Sequence, residues 1–305
     1  MKSLLTSLLL LLPAMTVAQN YKMVWHDEFD VDGKPDPKTW TYEKGFVRNN
    51  EEQWYQGDNA EVRDGVLVIT AKRDTVYNPY YKAGDKDWRK NHEKAFITSC
   101  SATTYGLKSM LYGRLEVRAR IPVGRGTWPA IWMLGNTRNF HKADATFQKN
   151  QEKRNAAFTE EELKEGHNPW PACGELDILE SYPVRGQQAL HANACWLGEN
   201  NGSKWKAKAV PLAHYTDRDS LWATQFHVWR LDWTEDYMRI YIDDELINDI
   251  DIRNCDNGGR EGDNPFRRPM YLLLNLAMGS TGGKIDEAAL PARYEIDYVR
   301  YYKAE

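Results

Sequence analysis

Three carboxylates fall within one short stretch, GELDILES, which runs from Gly174 to Ser181. Glu175, Asp177 and Glu180 alternate there with Leu176, Ile178 and Leu179. A helix scatters the acids, because positions 175 and 180 lie about 500° apart around its axis. A regular strand puts 175 and 177 on one face and turns 180 to the other. One extra residue, Leu179, bulged into the strand returns Glu180 to the face of the other two and leaves the apolar side chains for a core. Bulges are enriched beside active sites because they re-aim a side chain in this way.

Three acids held together do not all ionise at neutral pH. At least one pKa rises, leaving a protonated acid beside an ionised carboxylate. Retaining glycoside hydrolysis needs that pair, with the two carboxyls about 5–5.5 Å apart. The strand from 175 to 180 spans roughly 16 Å, so the bulge, a concave sheet and two long Glu side chains must bring the groups together. Read alone, an acid-rich strand also fits a solvated edge or a Ca2+ site.

The neighbourhood favours sugar chemistry. Twelve Trp and seventeen Tyr stand in a hydrophilic chain. A core takes at least half of them, and the rest offer flat faces on which the C–H faces of pyranoses stack while hydroxyls hydrogen-bond at the rim. Trp170 precedes the acids, GRGTWPAIWMLG (124–135) supplies Trp128 and Trp132, and HANACW (191–196) puts His191 and Trp196 on a neighbouring strand. His191 alone reads as a buried, hydrogen-bonded histidine; beside the acids it would orient a carboxylate or a substrate hydroxyl.

The elements that must position these groups are strands. YGRLEVRARI (112–121) alternates cleanly, with Leu115, Val117, Ala119 and Ile121 on one side and Arg114, Glu116, Arg118 and Arg120 on the other. Further strand signals are 66–73, 189–196, 226–233, 237–245, 271–278 and 294–302, separated by Gly-rich turns such as Asp64-Gly65 and Gly258-Gly259. Many strands without βα alternation predict an all-β sandwich of two antiparallel sheets. Residues 136–169 are polar, and Thr159 followed by three Glu reads as a helix start, so this segment is expected to be an inserted loop with a short helix.

The first residues, with Lys2, a leucine-rich run and Pro13, read as a signal peptide cleaved after Ala18. Export, a mature domain at 19–305, no membrane span and a monomeric state are the corresponding expectations. The four cysteines allow three complete disulfide pairings or four free buried thiols. A net charge of −4 without a basic stripe argues against a nucleic-acid partner.

E-L-D-I-L-E preceded by W-P-x-x-G resembles the signature of glycoside hydrolase family 16 in its bulged form. VWHDEFD (24–30), RNNEEQWY (48–55), NAEVRDGVLVITAKR (59–73), YGRLEVRARIPVGRGTWPAIWMLG (112–135) and YEIDYVRYY (294–302) are similar to the family too. The resemblance implies a β-jelly-roll sandwich with an open concave cleft and endo cleavage with retention. It makes Glu175 the nucleophile, Glu180 the general acid/base, and Asp177 a hydrogen-bond partner of the nucleophile. Trp128, Trp132 and Trp170 become cleft aromatics, and Asn50, Glu51 and Trp54 line the cleft as in laminarinase-like members. No cofactor is implied for catalysis, but a structural Ca2+ is, with Glu28, the Gly65 carbonyl and Asp297 as ligands.

The implied substrate is a polysaccharide, β-1,3 or mixed β-1,3/1,4 glucan. The alternative is an endo-β-galactanase acting on agar, porphyran or mucin-type galactan, for which a sulfated substrate would call on Arg48, Arg125 and Lys108. A non-catalytic sugar-binding sandwich is disfavoured by the intact acids. The chain departs from the family in two places. Thr98-Ser99-Cys100-Ser101 stands where many laminarinases read T-S-x-R, and the 136–169 insertion, ending at Trp170, is expected to wall or lid one end of the cleft.

Overall fold

The computed structural model describes residues 20–136 and 170–305. The predicted signal peptide and nearly all of the predicted insertion lie outside the described residues. In chain order the strands are β1 (Tyr21–Asp27), β2 (Thr41–Tyr42), β3 (Trp54–Tyr55), β4 (Ala60–Arg63), β5 (Val66–Tyr77), β6 (Lys94–Ser99), β7 (Ser101–Thr103), β8 (Gly113–Arg120) and β9 (Thr127–Gly135). There follow β10 (Glu175–Val184), β11 (Gln187–Leu197), β12 (Ser203–Pro211), β13 (His227–Trp233), β14 (Tyr237–Ile242), β15 (Glu245–Asp251), β16 (Met270–Met278) and β17 (Ala292–Ala304).

They form two sheets. One runs β12-β11-β10-β9-β16-β7-β2; the other runs β15-β14-β13-β8-β17-β5-β6-β3, with β1 added to β17 and β4 to β5. Pairing is antiparallel except for the short β3–β6 contact. The chain therefore has the predicted all-β sandwich architecture.

Side-chain alternation makes the two layers. Along β8, Leu115, Val117 and Ala119 are buried in the core, whereas Arg114, Glu116, Arg118 and Arg120 face outward. The outward arginines are met by acids on neighbouring strands, with Arg114 Nε on Asp232 at 2.6 Å and Arg118 and Arg120 paired to Asp297 and Glu295. The core side of the other sheet supplies Ile131 and Met133 from β9, Leu176, Ile178 and Leu179 from β10, Ala192, Ala194 and Trp196 from β11, and Leu272 and Leu274 from β16. Seven of the twelve tryptophans (Trp40, Trp54, Trp132, Trp196, Trp222, Trp229 and Trp233) lie in apolar clusters, in keeping with the expected share. Trp196 belongs to the main core between the sheets, so it does not accompany His191 into the site. All four cysteines are free buried thiols.

Two details of the strand reading change. The 237–245 run breaks into a hairpin, because Asp243 adopts φ 53 between β14 and β15. Strand β12 carried no sequence signal: Lys204, Lys206 and Lys208 alternate with Trp205, Ala207 and Ala209, and this edge strand has no buried face to impose apolar periodicity. The Asp64-Gly65 turn between β4 and β5 has φ 53 and 75, the paired left-handed geometry that tight hairpins require.

Candidate active site

The bulge in β10 is real, and its position can be read from both neighbours. Asp177 pairs with Asn193 of β11 and Glu180 with His191, so two residues on β10 oppose one on β11. Against β9, Asp177 pairs with Trp132, Leu179 with Ile131 and Glu180 with Ala130. The residue left over on that side is Ile178, not Leu179. Ile178 and Leu179 are consecutive yet both sink into the core at 1% exposure, which leaves Glu180 on the face of Glu175 and Asp177. Gly174 enters the strand at φ +81, and a Cβ there would stand 2.8 Å from Pro265 Cβ, so the first residue of GELDILES has to be glycine.

Each acid has its own donors. Trp128 Nε1 donates to Glu180 Oε1 at 2.9 Å, and Trp170 Nε1 donates to Glu175 Oε2 at 3.0 Å. The Asn193 amide donates both to Asp177 Oδ2 at 3.1 Å and to Glu180 Oε2 at 3.3 Å, while its own Oδ1 is buried without a protein partner. Asp177 and Glu180 are also hydrogen-bonded to each other. Burial, reinforced by the negative charge of Glu175, pushes Glu180 up to about 8. Burial, then Glu180, then Glu175, holds Asp177 well above the usual carboxylate range. The donors from Trp128, Asp177 and Asn193 oppose the rise at Glu180. Glu180 is therefore an acid that still carries its proton at neutral pH, beside two other carboxyl groups.

His191 makes its contacts away from the acids. Its ring stacks on Tyr182 at 3.6 Å and 11°, and Nε2 donates to the Tyr182 carbonyl at 3.2 Å. Burial lowers its pKa, so the ring is neutral. Tyr182 in turn meets the Trp128 ring edge-on at 5.7 Å. His191 thus supports the aromatic wall that carries the Glu180 donor.

On the β16 side the site is closed by a polar network that joins the expected Trp132, Glu51 and Arg48 to Asn275, Tyr55, Gln53 and Glu43, which the sequence did not announce. Trp132 Nε1 donates to Asn275 Oδ1 at 2.6 Å, and Asn275 Nδ2 donates to Tyr55 Oη at 3.1 Å. The buried Glu51 accepts from Gln53 at 2.7 Å and from Asn49 at 3.3 Å, and burial raises its pKa. The Arg48 guanidinium lies 5.0 Å above the Trp132 ring and is paired with Glu43. Ser101, which replaces the laminarinase arginine, donates to Glu43 at 2.7 Å, so the guanidinium of this corner comes from Arg48. Trp54 does not line the cleft. It packs edge-on against Phe46 at 5.5 Å in a satellite cluster, because alternation along β3 turns Tyr55 toward Asn275 instead. Asn50 is exposed in a left-handed conformation at φ 52, in the turn before Glu51.

With that geometry in hand, the chain can be set beside known proteins. A model of the family described as glycosyl hydrolases family 16 matches residues 155–300. A β-glucanase from Rhodothermus marinus is 33% identical over 94% of this chain and 86% of its own length. The chain belongs to glycoside hydrolase family 16. Two solved structures agree. The laminarinase from Rhodothermus marinus superposes with a TM-score of 0.68 at 32% identity, covering 94% of this chain and 99% of that one. A chain described with endo-acting O-glycanases of the human gut microbiota, which initiate mucin breakdown, gives 0.74 at 30% identity, covering 93% and 91%. Of longer relatives this family 16 chain spans between 34% and 58% of the length. As a family 16 member it is an endo-acting glycoside hydrolase working with retention of configuration, and its catalysis calls for no cofactor.

The calcium ligands implied for a family 16 enzyme are committed elsewhere. Glu28 accepts from Arg300 at 2.9 and 2.8 Å and faces His26 at 3.1 Å, while Asp297 is paired with Arg118. With a guanidinium already countering each carboxylate, Glu28, Gly65 and Asp297 do not fit a cation cage as they stand. Among the described residues no group of three or more His, Cys, Asp or Glu gathers into one.

Proposed function

We propose that this enzyme cleaves β-1,3 or mixed β-1,3/1,4 glucan by double displacement, with Glu175 as nucleophile and Glu180 as general acid/base. The observation that carries the reading is the bulge, which sets a protonated Glu180 beside Glu175 on one open face. Glu180 protonates the glycosidic oxygen as the Glu175 carboxylate attacks the anomeric carbon, giving a covalent glycosyl-enzyme. The deprotonated Glu180 then removes a proton from water, which attacks the same carbon and frees Glu175. Trp170 and Trp128 hold Glu175 and Glu180 through their indole N–H groups, and Asp177, held above the usual carboxylate range by burial and by Glu180 and Glu175, is hydrogen-bonded to Glu180. The glucan assignment draws on the Rhodothermus marinus β-glucanase and laminarinase. The leader-like N-terminus supports an exported enzyme acting on a polymer outside the cytoplasm.

A second reading, mucin-type galactan, draws on the O-glycanase-associated structure with its TM-score of 0.74. A sulfated form of that substrate finds little support in the cations named for it. Arg48 is buried against Glu43, Lys108 lies over the Trp25 ring of β1, and Arg125 is exposed in the loop before β9. Digestion of laminarin, barley glucan, agarose, porphyran and mucin glycans, with product sizing, separates the two. Oligosaccharides from the first two and loss of hydrolysis in folded Glu175→Gln and Glu180→Gln variants are expected. Cleavage of mucin glycans alone would transfer the assignment, and full activity in either variant would remove the catalytic roles.

A further inference from the structure

Trp205 takes no part in the chemistry above, yet it stands beside it. In β12 it is the register partner of Cys195, and Cys195 is the partner of Glu175. Directly paired positions share a face, so Trp205 rises from the same face as Glu175, two strands and roughly 10 Å away. It is 42% exposed and its neighbour Trp170 is 44% exposed, with ring centroids 6.5 Å apart and planes tilted by 53°. Trp170 spends its indole N–H on Glu175, and Trp205 donates to Ser203 Oγ at 3.1 Å. Each ring is thus held at its edge and offers its face. The next same-face residues along β12 are Ala207 and Ala209, both exposed and both short, so among the described residues the floor of β12 beyond the rings is low.

An exposed pair of indoles, one of them hydrogen-bonded to the nucleophile's carboxylate, calls for a ligand. Two faces tilted by 53° do not suit a flat one. Glucose units joined β-1,4 form an extended ribbon that lies along a single plane. A β-1,3 linkage turns each unit relative to the last and curves the chain. We propose that Trp170 and Trp205 form a double subsite on the β12 side of Glu175 that holds two consecutive β-1,3-linked hexopyranose units, one on each ring. This assignment rests on the glucanase reading, since a polymer must pass Glu175 to reach the rings. It adds a reason for linkage preference at that end of the cleft: the tilt selects a bent step and leaves hydroxyl configuration largely unread.

The test uses full-length enzyme with a series of β-1,3 gluco-oligosaccharides of increasing length, and mixed-linkage oligosaccharides that place a β-1,4 step over the rings. In Trp205→Ala, KM for the longer β-1,3 series should rise about tenfold with little change in kcat, as loss of one stacking face implies. The loss should shrink for shorter oligosaccharides and for the β-1,4 step, and Trp205→Phe should recover most of it. An unchanged KM in Trp205→Ala, or an equal loss for every length and linkage, overturns the subsite while leaving the glucanase assignment intact. Wild-type enzyme that cleaves no glucan overturns that assignment and this one with it.

Discussion

Asp177 faces Asn193 across the β10–β11 pair, and the Asn193 amide bridges from Asp177 Oδ2 at 3.1 Å to Glu180 Oε2 at 3.3 Å. A single NH2 group therefore stabilises the ionised form of two acids that burial and Glu175 push toward protonation. Its removal should let Glu180 hold its proton to higher pH. In Asn193→Ala the alkaline limb of the kcat/KM profile should move upward from its wild-type position near pH 8, with kcat lower by about tenfold or more from lost positioning. A loss of kcat with the limb fixed would reduce Asn193 to packing.

Glu180 also has a thermodynamic signature. Its pKa rises on folding from the ordinary 4.5 to about 8, so between those values the folded state binds more protons than the unfolded one. Stability from this group is fully present below about pH 4.5 and is lost as pH climbs through 8. Asp177 acts in the same direction. Glu180→Gln should be more stable than wild type at pH 9, on the order of a few kcal/mol, with the gap closing toward pH 4. Urea midpoints across that range measure it, and a gap independent of pH would contradict a burial-raised Glu180 as its source.

Deletion of Ile178 removes the extra residue, and plain alternation then keeps Glu175, Asp177 and Glu180 on one face of β10 with the register of Leu179 and Glu180 against β9 unchanged. The deletion variant should therefore retain hydrolysis, at a stability cost of about 2–5 kcal/mol for the lost buried side chain, whereas Ile178→Val, which keeps the count, should cost about 1 kcal/mol and retain activity. Complete loss of hydrolysis in a folded deletion variant would mean that Glu180 needs more from the bulge than its place on that face.

Arg48 is sequestered with Glu43 and stacked on Trp132, close to the buried Glu51. Arg48→Met keeps the bulk and removes the charge, leaving buried carboxylates unpaired. The expected destabilisation is about 3–5 kcal/mol, readable by denaturant unfolding. Adding Glu43→Gln should recover part of it, and a neutral single variant would show that the pair carries no such weight.

The gathering of the three acids on one face was legible in the sequence because its signal is local. The spacing of Glu175, Asp177 and Glu180 demands a bulge, and β8 shows its two faces by simple alternation. Which residue is extra was not legible, since Ile178 and Leu179 are equally apolar and only the register against Ile131 tells them apart. Asn193 was hidden for a related reason: its task depends on standing opposite Asp177, a fact of pairing between strands. The family resemblance alone places Trp54 in the cleft, and the two-residue strand β3 is too short for a period-two argument to point to Tyr55 instead. Asn275 lies more than two hundred residues from the Glu43–Arg48 pair, and no single window contains all three. Trp205 escaped because an exposed edge strand leaves no buried periodicity.

The central claim is the pairing of Glu175 and Glu180 as nucleophile and acid/base acting on β-1,3 glucan. Proton NMR of the anomeric region during the first minutes of laminarin digestion tests it most directly. With Glu175 as nucleophile, new reducing ends should appear first as the β-anomer, with the α-anomer growing in only by mutarotation. An α-anomer appearing first, or laminarin left uncut under conditions where the folded enzyme cleaves another polysaccharide, would contradict it.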